Sequence, residues 1–194
     1  MSNLVLCYLI CAMSDADKIK WDLKFSKKDL TLGVGDSALN DFLSLKPIKP
    51  VLDFACGDGR NSLEMARKGI DVLAWDCSRI GLQRLEYFFS LEQLEVRSLM
   101  LDFDDLPDLE PEKFGSVWIS HFLPSEIQLR WLFDKLPQDG LLALLTFNQL
   151  QINFNPRFCL EKDQFVETFD FHHLIKYESR IDKNSHHDFY IWKK

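Results

Sequence analysis

The sequence predicts one α/β domain: a seven-stranded, mostly parallel sheet with an antiparallel last strand and helices on both faces. Three observations carry this. Strand-like and helix-like segments alternate from Val51 to Phe147, the order that builds a parallel sheet through crossover helices. The strand-like runs are almost continuously apolar, as expected when both faces are covered. Finally, Val51-Leu52-Asp53-Phe54-Ala55-Cys56-Gly57-Asp58-Gly59-Arg60-Asn61 reads as a buried strand that enters a tight turn and leaves it directly as a helix. Its small residues let something approach the main chain closely.

Taken in order, Asp15 to Leu45 opens as a polar lead-in dotted with Trp21, Phe25, Leu30 and Leu32, and continues through Gly33-Val34-Gly35. Asp36 or Ser37 then caps a helix carrying Leu39, Phe42, Leu43 and Leu45. Lys46-Pro47-Ile48-Lys49-Pro50 breaks the chain into the first strand. Asn61 or Ser62 caps the helix after the glycine turn, with Leu63, Ala66 and Ile70 at i, i+3 and i+7 and Gly69 as its terminator. Val72 to Trp75 is the second strand and ends in Asp76. Ser78 caps a helix with Leu82, Leu85 and Phe89 on one face.

Leu94 to Met100 reads as the third strand, running into Leu101-Asp102-Phe103. Ser116 to Ile119 is the fourth and ends in Ser120-His121-Phe122. Pro124 suits the first position of a helix bearing Ile127, Trp131, Leu132 and Leu136. Gln138-Asp139-Gly140 turns into the most hydrophobic strand, Leu141 to Phe147. Glu161 to Phe169 reads as a short helix. Phe171–Tyr177 and Asp188–Trp192 read as a closing hairpin around Asp182-Lys183-Asn184-Ser185. No internal repeat or low-complexity segment interrupts this order.

The chemistry concentrates at the glycine turn. An acid at the tip of the second strand of a β-α-β unit is where a nucleoside ribose is gripped, and Asp76 stands there, about twenty residues beyond the glycines. The dinucleotide fingerprint requires a third glycine, and Ser62 occupies that position. No Lys-Ser or Lys-Thr follows, which excludes a P-loop. Asp53 instead precedes Gly57 in an Asp-x-Ala-x-Gly-x-Gly pattern. Its carboxylate suits a cationic ligand group, and it equally suits ordering the turn by bonding loop amides.

A length of 194 residues fits one domain, and 46% hydrophobic residues with 16 Phe supply its core. The net charge of −7 argues against binding a nucleic-acid backbone, which depends on Lys and Arg. Five cysteines without zinc-like spacing fit a reducing cytoplasm. Cys56, in the glycine loop, reads as a small side chain rather than a nucleophile. The apolar run Leu4 to Ala12 is far short of the roughly twenty residues that span a membrane, and no Lys or Arg precedes it as in a signal peptide. Residues 1–14 therefore read as a loose or upstream-start extension, and 15–194 as a single domain. No membrane segment is expected.

These segments resemble the class I S-adenosylmethionine (SAM)-dependent methyltransferases, in which Asp53 to Gly59 would be the cofactor motif. Trp21-Asp22, Phe25, Leu32-Gly33, Cys56 to Asn61, Ala66 to Gly69, Val72 to Ser78 and Leu123-Pro124-Ser125-Glu126 resemble the tellurite-resistance protein B-like small-molecule methyltransferases, a likeness covering roughly residues 20–192. Family members usually carry a histidine directly before the Leu-Pro pair, where this chain has Phe122 and, one step earlier, His121. The family's Gly-Pro-Lys segment after the fifth strand is absent, and residues 148–160 are short.

The resemblance implies a Rossmann-like fold, SAM as cofactor and a small-molecule acceptor. It assigns Ala55, Cys56, Gly57 and Gly59 to the methionine part, Asp76 to the ribose and Cys77 to the adenine edge. Asp102 and Phe103 would recognise the adenine, although Asp102 also begins an acidic run that reads as a solvated loop. Asp53, Asn61 and Ser120 complete the expected cofactor set. His121, at the sheet's carboxyl rim, is the candidate base or acceptor-positioning group, or else a rim histidine bonded to backbone. Asn148 is placed to reach the acceptor.

His172-His173 and His186-His187, as adjacent pairs on strands, would point to opposite faces, so no metal site is expected. The oligomeric state is not readable. Two other functions stay open: a non-catalytic SAM-binding or interaction module, and an NAD-dependent oxidoreductase, which Ser62 and Asp53 disfavour.

Overall fold

The structure is a computed structural model that describes residues 15–108, 113–152, 154–161, 163–166, 168–169, 171–182 and 185–194. The extension read at 1–14 lies outside the described residues, as do Lys183 and Asn184 of the hairpin turn. Seven strands form one sheet: β1 (Val51–Phe54), β2 (Val72–Asp76), β3 (Arg97–Met100), β4 (Ser116–Ser120), β5 (Leu141–Phe147), β6 (Leu174–Asp182) and β7 (Ser185–Lys193). Their order is β3-β2-β1-β4-β5-β7-β6. β7 pairs antiparallel with both β5 and β6 while the other pairings are parallel, so β7 alone runs against the rest. The chain winds outward from β1 through β2 to β3, then returns to β4 on the other side. A crevice therefore opens at the carboxyl ends of β1 and β4, where ligands of open α/β sheets bind.

Among the described residues five α-helices surround the sheet: α1 (Asp15–Ser26), α2 (Leu39–Ser44), α3 (Arg60–Arg67), α4 (Arg79–Leu91) and α5 (Glu126–Lys135). Alternation along β1 divides the core. Leu52 and Phe54 pack with Leu129, Leu132 and Phe133 of α5 on one face. Val51 packs on the other face with Phe42 of α2, Met65 of α3 and Trp118, and beside them Leu63 meets Leu85 and Phe89 of α4. Burying each of these large side chains contributes about 1.5–3 kcal/mol.

Several local expectations are corrected. The lead-in contains a helix, α1, whose Phe25 is buried while Ile19 and Leu23 face solvent. The residue capping α2 is Ala38, not Asp36 or Ser37, because the Asp36 side chain is drawn to partners far along the chain. Helix α3 begins at Arg60 with Gly59 at its N-cap, so Asn61 and Ser62 lie inside it and turn their side chains to the carboxylates of Asp36 and Asp53. Ser125, not Pro124, starts α5, through a capping box with Gln128. β3 is shorter than the apolar run suggests, since Leu94 and Val96 pack against the α3–α4 cluster before the strand begins. The described residues between Glu161 and Phe169 form turns rather than a helix, pressing Phe165 and Phe169 onto the core. Phe171–His173 is a short 3-10 turn, so the first histidine pair is not on a strand.

Candidate functional site

The turn after β1 is shaped by three left-handed residues, Ala55, Gly57 and Gly59. Gly59 is required sterically: a Cβ there would lie 2.6 Å from Leu85 Cγ of α4. Asp76, at the end of β2, holds the turn. Its Oδ2 accepts the Gly57 N–H across 2.8 Å, and its Oδ1 accepts the Ser78 N–H across 2.7 Å. Among the described residues Asp53, on the neighbouring β1, accepts only the Ser62 hydroxyl, at 2.5 Å.

Both carboxylates are buried, and among the described residues neither forms an ion pair. Burial, only partly offset by the Ser62 hydrogen bond, pushes Asp53 up to about 7. Burial against the opposing Ser78 and Gly57 amides pushes Asp76 up to about 6. Two desolvated acids without a cation suit a ligand that brings positive charge. The same burial, with Asp76 beside them, raises the Cys56 and Cys77 thiols, which removes Cys56 as a nucleophile near neutral pH.

A second cluster lies across the start of α3. The part-buried Asp36 carboxylate accepts from Arg60 Nη2 at 2.8 and 3.0 Å and from Asn61 Nδ2 at 2.9 Å, and lies 3.0 Å from His121 Nε2. Asn61 Nδ2 also reaches Ser120 Oγ at 2.7 Å. Burial alone would raise Asp36, but the hydrogen bond and charge of His121, with Arg60 and Asn61, hold it well below the usual carboxylate range. The structure thus joins Asn61, Ser120 and His121 from the sequence reading to Asp36 and Arg60, which that reading left out of the site.

The adenine candidates are arranged differently. Asp102 follows β3, pairs with Lys18 of α1 at 2.6 Å and accepts the Asp104 N–H. The Phe103 ring is fully committed to the core, 4.3 Å from Phe54 and 5.3 Å from Phe122 between centroids. Its carbonyl accepts from Gln128. Asn148 is buried and spent on Asp188 and the Leu150 amide, so it does not extend toward an acceptor.

Helix α1 covers the turn. Asp22 accepts from the Ser78 hydroxyl at 2.6 Å and the Ile80 N–H at 3.0 Å, adding a second cap to α4. Phe25 stands over Gly57, where a Cβ would meet its ring at 3.0 Å. Lys28 pairs with Asp58 at 2.7 Å. None of these contacts is visible locally in the sequence; an acid and an aromatic three residues apart, ahead of a glycine turn, are the only signal. Among the described residues no group of three or more His, Cys, Asp or Glu could hold a metal ion, and no helix is long and apolar enough to cross a membrane.

Residues 51–137 match a family model described as a methyltransferase domain. The chain is 32% identical over 80 residues to the probable S-adenosyl-L-methionine-dependent methyltransferase TehB of Haemophilus influenzae, a match covering 41% of this chain and 28% of that protein. The match thus spans less than a third of the relative's length. Among solved structures, TehB from Haemophilus influenzae superposes with a TM-score of 0.70 at 18% identity, over 90% of this chain and 67% of the other. Magnesium protoporphyrin IX methyltransferase from Synechocystis with bound S-adenosylhomocysteine gives 0.66 at 12% identity, over 90% and 86%. At these identities the superpositions establish the shared fold.

Proposed function

We propose SAM-dependent methyl transfer to a small-molecule acceptor, a reading supported by the match of residues 51–137 to a methyltransferase domain and by the likeness to TehB. The observation that carries this is the pair Asp53 and Asp76. They are two buried carboxylates on adjacent parallel strands beside the glycine turn, without an ion pair among the described residues. SAM supplies a sulfonium-activated methyl group together with an ammonium, and so brings the positive charge these acids lack.

In this reading Asp76 accepts from the ribose hydroxyls with the lone pairs its two amide partners leave free. Asp53 favours the cationic methionine end through the Ser62-bound carboxylate. Ala55, Cys56, Gly57 and Gly59 form the wall beside the methionine part. Cys77, Asp102 and the Phe103 main chain border the adenine, while Asn61 and Ser120 bridge toward the acceptor. The protein's work is mainly to position the reactants and exclude water. His121 handles the acceptor's proton. The net charge of −7 supports a small acceptor over a nucleic acid, and the protein acts in the cytoplasm.

Calorimetric titration with SAM, S-adenosylhomocysteine and NAD tests the reading, with micromolar binding expected for the first two only. NAD binding in their place would overturn it. SAM binding without S-adenosylhomocysteine production from any acceptor would make the chain a binding module instead.

A further inference from the structure

We infer that Asp36 is a positioning residue that fixes His121 as the base for the reaction proposed above, and that the acceptor is therefore a protic nucleophile, a thiol or a hydroxyl compound. This rests on the methyltransferase reading. The tautomer follows from the contact itself. Asp36 is ionised and an ionised carboxylate only accepts hydrogen bonds, so His121 Nε2, 3.0 Å away, carries the hydrogen. With the Nε2 hydrogen committed to Asp36, the lone pair of the unprotonated ring lies at Nδ1. Among the described residues Nδ1 makes no hydrogen bond, and the side chain remains 26% exposed.

The placement supports the same role. His121 follows β4 directly at the carboxyl rim in a left-handed conformation, φ 54°, held by its N–H to the Leu145 carbonyl. Such a conformation costs a bulky residue on the order of 1 kcal/mol and persists where the surroundings enforce it. Phe147 and His187 wall the ring at centroid distances of 4.9 and 5.0 Å. Asp36 also grips Arg60 and Asn61 at the start of α3, which ties the base to the glycine turn.

In the step, His121 Nδ1 takes the acceptor's proton as the acceptor heteroatom bonds the methyl carbon. The carbon–sulfur bond breaks with its electron pair left on sulfur, giving a neutral thioether. The imidazolium that forms lies against the Asp36 carboxylate. Acceptors that arrive already deprotonated, such as halides or oxyanions, would leave this pair without a task.

The test uses the full chain with S-adenosylhomocysteine for spectroscopy and SAM for turnover. Long-range proton–nitrogen correlation of His121 should show hydrogen on Nε2, and Asp36→Asn should mix the tautomers. Hydrogen on Nδ1, or a spectrum that Asp36→Asn leaves unchanged, would overturn the proposal. For turnover the probes are benzyl mercaptan, protonated at neutral pH, and 4-nitrothiophenol, already ionised there. His121→Gln should lower kcat for benzyl mercaptan about 100-fold or more, since general bases contribute about 100- to 10,000-fold. Asp36→Asn should lower it by about tenfold with KM unchanged, and 4-nitrothiophenol should be nearly spared by both changes. Equal losses for both thiols, or no transfer to any thiol or phenol while SAM binds, would sink the inference. Failure to bind SAM at all would instead overturn the methyltransferase reading.

Discussion

The Asp76 carboxylate accepts the amide hydrogen of Gly57 across 2.8 Å, so the acid of the second strand sets the turn that follows the first. The ribose-binding candidate is thereby also the brace of the glycine loop. Asp76→Ala should weaken S-adenosylhomocysteine affinity at least about tenfold, equivalent to 1.4 kcal/mol, because each bond to a charged group is worth about 1.5–3 kcal/mol. Calorimetry finding unchanged affinity in the folded variant would remove Asp76 from the site.

The two raised acids give a pH signature with a definite sign. Unfolded carboxyls lose their protons near pH 4, while Asp53 and Asp76 do so at about 7 and about 6 in the folded protein. Between those limits the folded state holds more protons, so their contribution is complete below the unfolded value and lost as pH rises through 6 and 7. A cationic ligand binds the ionised acids and runs the opposite way. The free protein should melt lower as pH rises across this window, Asp53→Asn should flatten the slope, and SAM's stabilising shift should grow. A ligand shift constant from pH 5 to 8 would disprove the coupling.

Gly59 and Gly69 are both left-handed, with φ of 83° and 71°. A Cβ at Gly69 meets nothing within 4 Å, whereas at Gly59 it would strike Leu85. Gly69→Ala should therefore cost only the backbone term, about 1–2 kcal/mol. Gly59→Ala should cost about 1–3 kcal/mol more, the usual range for overpacking a core. Urea unfolding would measure both, and equal costs would show that α3 and α4 are not locked together at this point.

Much of this architecture was legible because its signals are local. The Asp-x-Ala-x-Gly-x-Gly turn, the acid ending β2 and the cap Ser78 each declare themselves within a few residues. Asp36 was misread for the same reason. An acid ahead of an apolar helix looks like its cap, while its real partners Arg60 and His121 lie 24 and 85 residues away. Helix α1 lacked an amphipathic signature because it docks through little more than Trp21, Asp22 and Phe25. Phe165, Val166 and Phe169 have helical spacing, yet the chain satisfies them by folding turns onto the core. Phe103 looked available to an adenine until the Phe54–Phe122 packing claimed its ring.

Helix α1 and the turn after it make the last prediction, since several of their contacts fall on or beside candidate site residues. Lys18 pairs with Asp102, Asp22 caps Ser78 and Ile80, Phe25 covers Gly57, and Lys28 pairs with Asp58. A helix that served only to complete the core would bury a continuous apolar stripe, but Ile19 is 60% and Leu23 54% exposed. Beside the packing of Trp21 and Phe25 its attachment is polar and part-exposed, and such pairs are worth about 0–1 kcal/mol each. Such an attachment can release, and a ligand against Gly57 would displace the Phe25 ring that stands over it. Binding should then order it, as with a lid that closes over reactants. Hydrogen exchange should show residues 21–35 gaining protection when S-adenosylhomocysteine is added, while β1 and β4 change little. Asp22→Ala should speed exchange in α1 without ligand and weaken ligand affinity. If residues 21–35 are equally protected with and without ligand, α1 is a fixed staple and the cofactor must reach the turn by another route.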